Sequence, residues 1–207
     1  MPASKRDRLF VFLRLGRYKV ASAHQIEGPV LSPSDYRAGV GIVLVNAHGL
    51  VFSGRRRDNR DHPWQMPQGG LQEGETPRQA ALREVREELG TESVNILEFR
   101  PDWLYYDYPA PESSRRATLF RGQRHLWYLL RFYGSDADIE IEGADGEFSE
   151  WRWNTPAQII DEAVSFKQPA YRQVMRYFAP ALMSLSSGRP SGLTRIAAAR
   201  RRHQISA

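Results

Sequence analysis

The sequence predicts an α/β fold in which a mixed β-sheet lies between helices. Three features carry this expectation. Short apolar segments with strand periodicity come first, an amphipathic helix with clear start and stop signals sits in mid-chain, and helical patterns follow the last strands. At 207 residues, one domain with extensions is the natural division.

The charge distribution suggests where the extensions lie. The chain carries a net charge of +5, yet residues 1–33 hold six Lys/Arg against two acids and residues 188–207 hold five Arg and no acid. The intervening residues 34–187 carry 18 basic and 22 acidic side chains, so the basicity belongs to the ends. We therefore read 1–33 as a basic N-terminal extension, 34–187 as the main domain, and 188–207 as a basic tail expected to be disordered, set off by the GRPSG linker at 188–192. The absence of cysteine excludes disulfide partners and thiolate metal sites and fits a reducing, cytoplasmic setting. No apolar run approaches a membrane span, so no membrane partner is expected. No signal peptide with a cleavage site is evident, and the Arg-rich, acid-poor residues 1–33 fit an organelle-targeting peptide, an extra packed element or a translation start placed too far upstream, with targeting not favoured.

Taken in order, YRAGVGIVLVN (36–46) sets Val40, Ile42 and Leu44 against Gly41, Val43 and Val45, the pattern of a strand buried on both faces. After the turn at Ala47-His48-Gly49, Leu50–Arg56 returns as a second strand. Trp64–Pro67 reads as a short strand feeding Gln68-Gly69-Gly70, where glycines admit close approach of a metal or phosphate. Val94–Arg100 and Trp103–Pro109 read as two strands, Pro111–Arg124 as a polar surface excursion, and His125–Tyr133 as an aromatic core strand. Asp138–Glu142 (DIEIE) alternates like an edge strand, and Glu147–Trp153 is a further strand. Thr155-Pro156 opens one helix, and a last helix starts near Gln168.

The chemistry concentrates in Gly69–Thr91, GGLQEGETPRQAALREVREELGT. Thr76 is placed to cap a helix, with Pro77 first inside it, Gln79 three residues after the cap, and Gly90 at the left-handed exit. Ala81, Val85 and Leu89 form the buried stripe, while Glu84, Glu87 and Glu88 project as one cluster. Like charges at this spacing cost about 0.2–0.5 kcal/mol per pair, and acids near a helix C-terminus oppose its dipole. Such a cluster is ordinarily a solvated face balanced here by Arg83 and Arg86; a divalent cation, which takes hard oxygen ligands, removes the conflict in another way.

Gly69, Glu75, Arg83-Glu84, Val85, Glu87-Glu88 and Gly90 follow G-x5-E-x7-R-E-U-x-E-E-x-G-U, with U aliphatic, at every position but the last, where Thr91 stands. This resembles the Nudix box, the metal-binding loop–helix–loop of the Nudix hydrolases. The resemblance implies an α/β/α sandwich and hydrolysis of pyrophosphate bonds with Mg²⁺, for which Mn²⁺ can substitute. By it, Glu84, Glu87 and Glu88 are metal ligands, joined by the Gly69 carbonyl, and one carboxylate is the general base. Glu75, Arg83 and Gly70 support the site. Over Asp35–Met183, the segments YRAGVGIV, WQMPQGG, Gly122–Leu130, EFSEWRW and VSFK resemble the branch that holds RNA pyrophosphohydrolases and asymmetric dinucleoside-tetraphosphate hydrolases.

Carried over residue by residue, Glu147 matches a distal acid that completes the metal site or acts as base, and Arg37, Arg56, Tyr106, Phe166 and Lys167 match substrate contacts. Stacking suits Phe166 and a phosphate suits Lys167. Among 26 arginines and three lysines, Lys167 is the only lysine between 34 and 187, which mildly favours a specific role. The loop Arg55–Trp64 is longer than in bacterial relatives, and Pro63 stands where a serine can occur, so base preference does not transfer. The expected reaction trims a 5′-triphosphate or diphosphate RNA end to a monophosphate. Cleavage of diadenosine tetra- or pentaphosphate is the alternative, a non-catalytic nucleotide-binding module a distant third, and a monomer is expected.

Overall fold

The computed structural model describes residues 32–57, 64–109, 119–141 and 146–187. The readings of residues 1–31, of the 58–63 loop with Pro63, and of the tail at 188–207 lie outside the described residues. The strands are β1 (Tyr36–Val45), β2 (Val51–Arg56), β3 (Gln68–Gly70), β4 (Val94–Asp107), β5 (Gly122–Phe132) and β6 (Phe148–Asn154). The helices are α1 (Pro77–Leu89), α2 (Pro156–Asp161) and α3 (Gln168–Ser186). The sheet runs β4-β5-β1-β2-β6, with β1 and β5 parallel, the other pairs antiparallel, and β3 joined to β1.

Alternation along β1 serves two cores. Val40, Ile42 and Leu44 pack with Ala81, Val85 and Leu89 of α1, whereas Val43 and Val45 pack with Trp127, Tyr171, Val174 and Phe178 on the α2–α3 side. This two-faced burial explains why β1 reads as an almost unbroken apolar run.

The feature that positions the site is a split between β1 and β2. These strands meet at Val45 and Val51 beside their turn and then diverge. Residues 65–70 fill the gap. Gln65 exchanges backbone hydrogen bonds with Gly54 of β2, both at 2.9 Å, while Pro67 O accepts from Ile42 N at 2.9 Å and Gln68–Gly70 pair with Gly39–Gly41 of β1. The strand expected at Trp64–Pro67 is thus displaced onto the glycines, because Pro67 has no N–H with which to extend a ladder.

Three other expectations are corrected. Val94–Asp107 is one strand, its irregular pairing between Arg100 and Leu104 absorbing Pro101. That proline is tolerable because β4 is the sheet's edge. β5 starts at Gly122, so the end of the expected excursion belongs to the sheet; residues 110–118 lie outside the described residues. Asp138–Ile141 is not a strand, and Glu142 lies outside the described residues: the segment follows a 3-10 turn and crosses the end of α1, where Glu140 N donates to Leu89 O at 2.8 Å. Its alternation reflects Ile139 and Ile141 packing onto the α1 core.

Helix α1 begins and ends as its sequence predicts. Thr76 Oγ1 accepts from Gln79 N at 3.3 Å, Gln79 Oε1 accepts from Thr76 N at 2.8 Å, and Gly90 adopts φ 66° with its N–H donating to Arg86 O. Thr76→Ala removes this cap. The expected loss is about 1 kcal/mol, read as a melting temperature lower by about 2–4 °C.

Candidate active site

Two electrostatic arrangements meet at the buried face of α1. The first is centred on Arg83. Its Nε and Nη2 grip the two oxygens of Glu75 at 3.0 and 2.7 Å, and Nη2 also donates to Gly70 O at 3.0 Å. Its Nη1 donates to Glu84 Oε1 at 2.8 Å and Glu87 Oε2 at 2.7 Å. The guanidinium beside Glu75 holds that carboxyl below its ordinary range, and its own pKa is raised by the same bond. Arg83 therefore ties the loop to the helix. Arg86 does not share this work; it lies 3.8 Å from exposed Glu92.

The second arrangement is the reverse. Glu88 is 3% exposed and neither carboxylate oxygen has a hydrogen-bond partner among the described residues. Burial, followed by the nearby Glu147 carboxyl and then Glu84, pushes its pKa well above the ordinary carboxylate value. The Gln68 backbone N–H opposes this shift without reaching bonding geometry. Glu84 is also raised, mainly by burial, against the pull of Arg83. An unpaired buried acid costs several kcal/mol when ionised. Nothing in the packing of α1 requires it.

The glycine loop makes room for these acids. A Cβ on Gly69 would stand 1.8 Å from Glu84 Oε1, so only glycine fits there. The Gly69 carbonyl lies against Gly39 of β1. Among the described residues, no three His, Asp or Glu side chains converge as a ready-made cation site, since Arg83 draws Glu84 and Glu87 to itself. The donor set nevertheless fits a hard divalent cation. It consists of oxygens alone, and the two orphaned oxygens of Glu88 supply the unmet demand for positive charge.

Across the split, the predicted substrate residues gather on the α2–α3 side. Arg56 Nη1 donates to Glu147 Oε1 at 2.5 Å, so the distal acid and one expected substrate contact are paired with each other. Lys167 is 8% exposed, its Nζ bonded to Gln65 Oε1 at 3.0 Å and lying 5.8 Å from the Tyr106 ring centroid. Half-buried Phe166 stands 5.9 Å from the same ring. The Tyr106 hydroxyl donates to Gln123 Oε1. The Arg37 guanidinium lies over Gly70, where a Cβ would stand 2.3 Å from Nη2.

The residues named from sequence thus occupy one region, but the reading missed Gln65 and His125. His125 is fully enclosed between Tyr106 and Trp127, and burial followed by Lys167 and Arg37 lowers its pKa to about 3. Gln65 sat in plain view inside WQMPQGG; its importance depends on contacts 82 and 102 residues away.

Carboxylates collected on a loop–helix–loop, facing cations across a split sheet, define a hydrolase of phosphate anhydrides that works through a bound metal. Comparison with known proteins makes this specific. The NUDIX domain model matches residues 35–178, and the chain belongs to the Nudix family of hydrolases. It is 49% identical to the RNA pyrophosphohydrolase of Dinoroseobacter shibae over 147 residues, covering 69% of this chain and 91% of that protein. It is 44% identical to the RNA pyrophosphohydrolase of Zymomonas mobilis over 151 residues, covering 72% and 97%. Among solved structures, the Escherichia coli dihydroneopterin triphosphate pyrophosphohydrolase shares the fold at a TM-score of 0.54 and 20% identity, covering 69% of this chain and 98% of that one. Nudix hydrolases generally need divalent metal ions.

The state of Glu88 has a measurable consequence without metal. Its raised folded pKa means that, from the ordinary value of 4.5 upward to the folded value, the native protein holds more protons than the unfolded chain. Stability contributed by that proton is present at low pH and lost as pH rises through this window. In chelator at pH 7.5, Glu88→Gln is expected to melt above the wild type by a few degrees. Added divalent metal should then raise the wild type more than the variant, reversing the order.

Proposed function

We propose that the protein is an RNA pyrophosphohydrolase, converting 5′-triphosphorylated or 5′-diphosphorylated RNA to 5′-monophosphorylated RNA with Mg²⁺ as the preferred ion and Mn²⁺ as a substitute. The observation that carries this reading is the chain of contacts from the unpaired Glu88 carboxyl to the nearby Glu147, from Glu147 to Gln65, and from Gln65 to Lys167, which shares the Tyr106 ring with Phe166. Identity of 44–49% across nearly the whole length of two RNA pyrophosphohydrolases supports it.

In this proposal Glu84, Glu87, Glu88 and Glu147 would hold the metal, which would supply neutralisation of phosphate charge and a lowered pKa of water. The chain's own groups do the rest. Lys167 and Arg37 hold the phosphate oxygens, and a carboxylate of the cluster takes the proton of the attacking water. Phe166, beside Tyr106, offers a face for the terminal base. Water adds to the 5′-terminal α-phosphorus, the bond to the bridging oxygen breaks, and pyrophosphate leaves from a triphosphate end or phosphate from a diphosphate end.

Purified protein with Mg²⁺ should release pyrophosphate from 5′-triphosphorylated RNA and leave a monophosphate end. Glu87→Gln combined with Glu88→Gln is expected to lower kcat by about a thousandfold or more; wild-type-like turnover by that variant would refute the carboxylate mechanism. Faster cleavage of diadenosine tetraphosphate than of RNA would transfer the assignment to dinucleoside polyphosphates. Phe166→Ala should raise KM for RNA about tenfold while changing kcat little, as expected for loss of a stacking face.

A further inference from the structure

Gln65 has no part in the chemistry proposed above, yet it joins two groups that do. It is 6% exposed, and its backbone is clamped to Gly54 by two hydrogen bonds of 2.9 Å, so its side chain starts from a fixed point. Its Oε1 accepts from Lys167 Nζ at 3.0 Å, and its Nε2 donates to Glu147 Oε1 at 3.4 Å. The orientation of the amide follows from its neighbours, since an ammonium only donates and an ionised carboxylate only accepts. That same carboxylate oxygen takes a hydrogen bond from Arg56 at 2.5 Å.

We propose that Gln65 is a positioning residue that holds the Lys167 ammonium and the Glu147 carboxylate at a fixed separation. The inference rests on Lys167 and Glu147 serving phosphate-end hydrolysis. An ammonium and a carboxylate in a water-poor pocket attract strongly and would close into a direct ion pair. Such a pair would take the phosphate-binding cation out of use, on an acid that Arg56 already holds. A neutral amide has both a donor and an acceptor end, so it bridges the ammonium to the Arg56-paired acid without adding a second ion pair. It also lies in the segment that holds β1 and β2 apart, which ties the spacing to the sheet.

The chain contains three lysines, Lys5, Lys19 and Lys167, so selective ¹⁵N-lysine labelling reads the proposal without substrate. The wild type should show one ammonium signal protected from water exchange, absent in Lys167→Met and lost or strongly shifted in Gln65→Met. No protected signal in the wild type, or an unchanged one in Gln65→Met, would overturn the inference. Kinetics supply the second readout. Gln65→Met should lower kcat/KM for triphosphorylated RNA about thirtyfold, yet by less than about threefold in a Lys167→Met background, because the ammonium that required holding is gone. Gln65→Glu keeps the bond to Lys167 and repels Glu147, so kcat should fall about tenfold with KM within about twofold. Fully multiplicative losses in the double variant, or equal effects of Gln65→Glu on kcat and KM, would reduce Gln65 to a packing residue. If Gln65→Met does not fold, as judged by its melting curve, the kcat–KM split of Gln65→Glu decides. A wild type that cleaves diadenosine tetraphosphate but not RNA defeats the RNA assignment alone, and the same variants then test Gln65 on that substrate. A wild type inactive on both defeats the enzymatic reading, and the ammonium signal alone then judges the spacing.

Discussion

The split between β1 and β2 is the constraint on which the site depends. A continuous sheet would separate α1 from α2 and α3 by a wall of paired backbone, and Glu88 could not approach Glu147. Residues 65–70 prevent that closure by satisfying both strands in turn: Gln65 bonds β2, and Pro67 through Gly70 bond β1. The buried polar groups of the diverging strands are therefore partnered, as they must be away from water, while the two faces of the sheet communicate. The glycine at position 69 lets Glu84 lie against the wedge, so the loop is both a filler of the sheet and a wall of the site.

Within that frame, two of the clustered acids are stabilised and one is not. Arg83 gives Glu84 and Glu87 a shared cation and anchors itself on Glu75 and Gly70, an arrangement of charge-assisted bonds that fixes loop to helix. Glu88 receives no such partner. Its position one turn beyond Glu84, near Glu147, disfavours the ionised carboxyl, a conflict that a proton or an added cation relieves. The contrast separates roles that the sequence shows only as a run of glutamates. Arg83 stabilises the scaffold, and Glu88 carries the carboxyl that the scaffold leaves unpaired.

The parts of the fold legible in the sequence are those decided locally or by repeated burial. The ends of α1 follow from Thr76, Pro77, Gln79 and Gly90, each acting on its immediate neighbours. β1 and β5 follow from apolar continuity. The errors arise where a local pattern has two physical explanations. Ile139 and Ile141 alternate as a strand would, yet their alternation comes from packing over the end of α1. Pro101 reads as an interruption because sequence does not reveal that β4 is an edge, where a missing N–H is harmless. The candidate site shows the same divide. The clustered glutamates are adjacent on one helix and could be found by spacing, whereas Gln65 matters only through Glu147 and Lys167, which the fold alone brings to it.

This geometry also assigns different freedoms to the two sides of the sheet. On the α1 side, each acid is constrained by a neighbour at van der Waals or hydrogen-bond distance: Glu84 by Gly69 and Arg83, Glu87 by Arg83, and Glu88 by complete burial. A change at any of them disturbs the others, so the side that cuts the anhydride has little room to vary. On the opposite side, Phe166 and Tyr106 meet as a tilted aromatic pair and Lys167 lies above the Tyr106 ring, contacts that tolerate changes of shape more readily than a charge network does. Substitution there can change the shape of that surface without moving the carboxylates. The limit to that freedom is the polar link through Gln65, because it connects Lys167 to the acid beside Glu88.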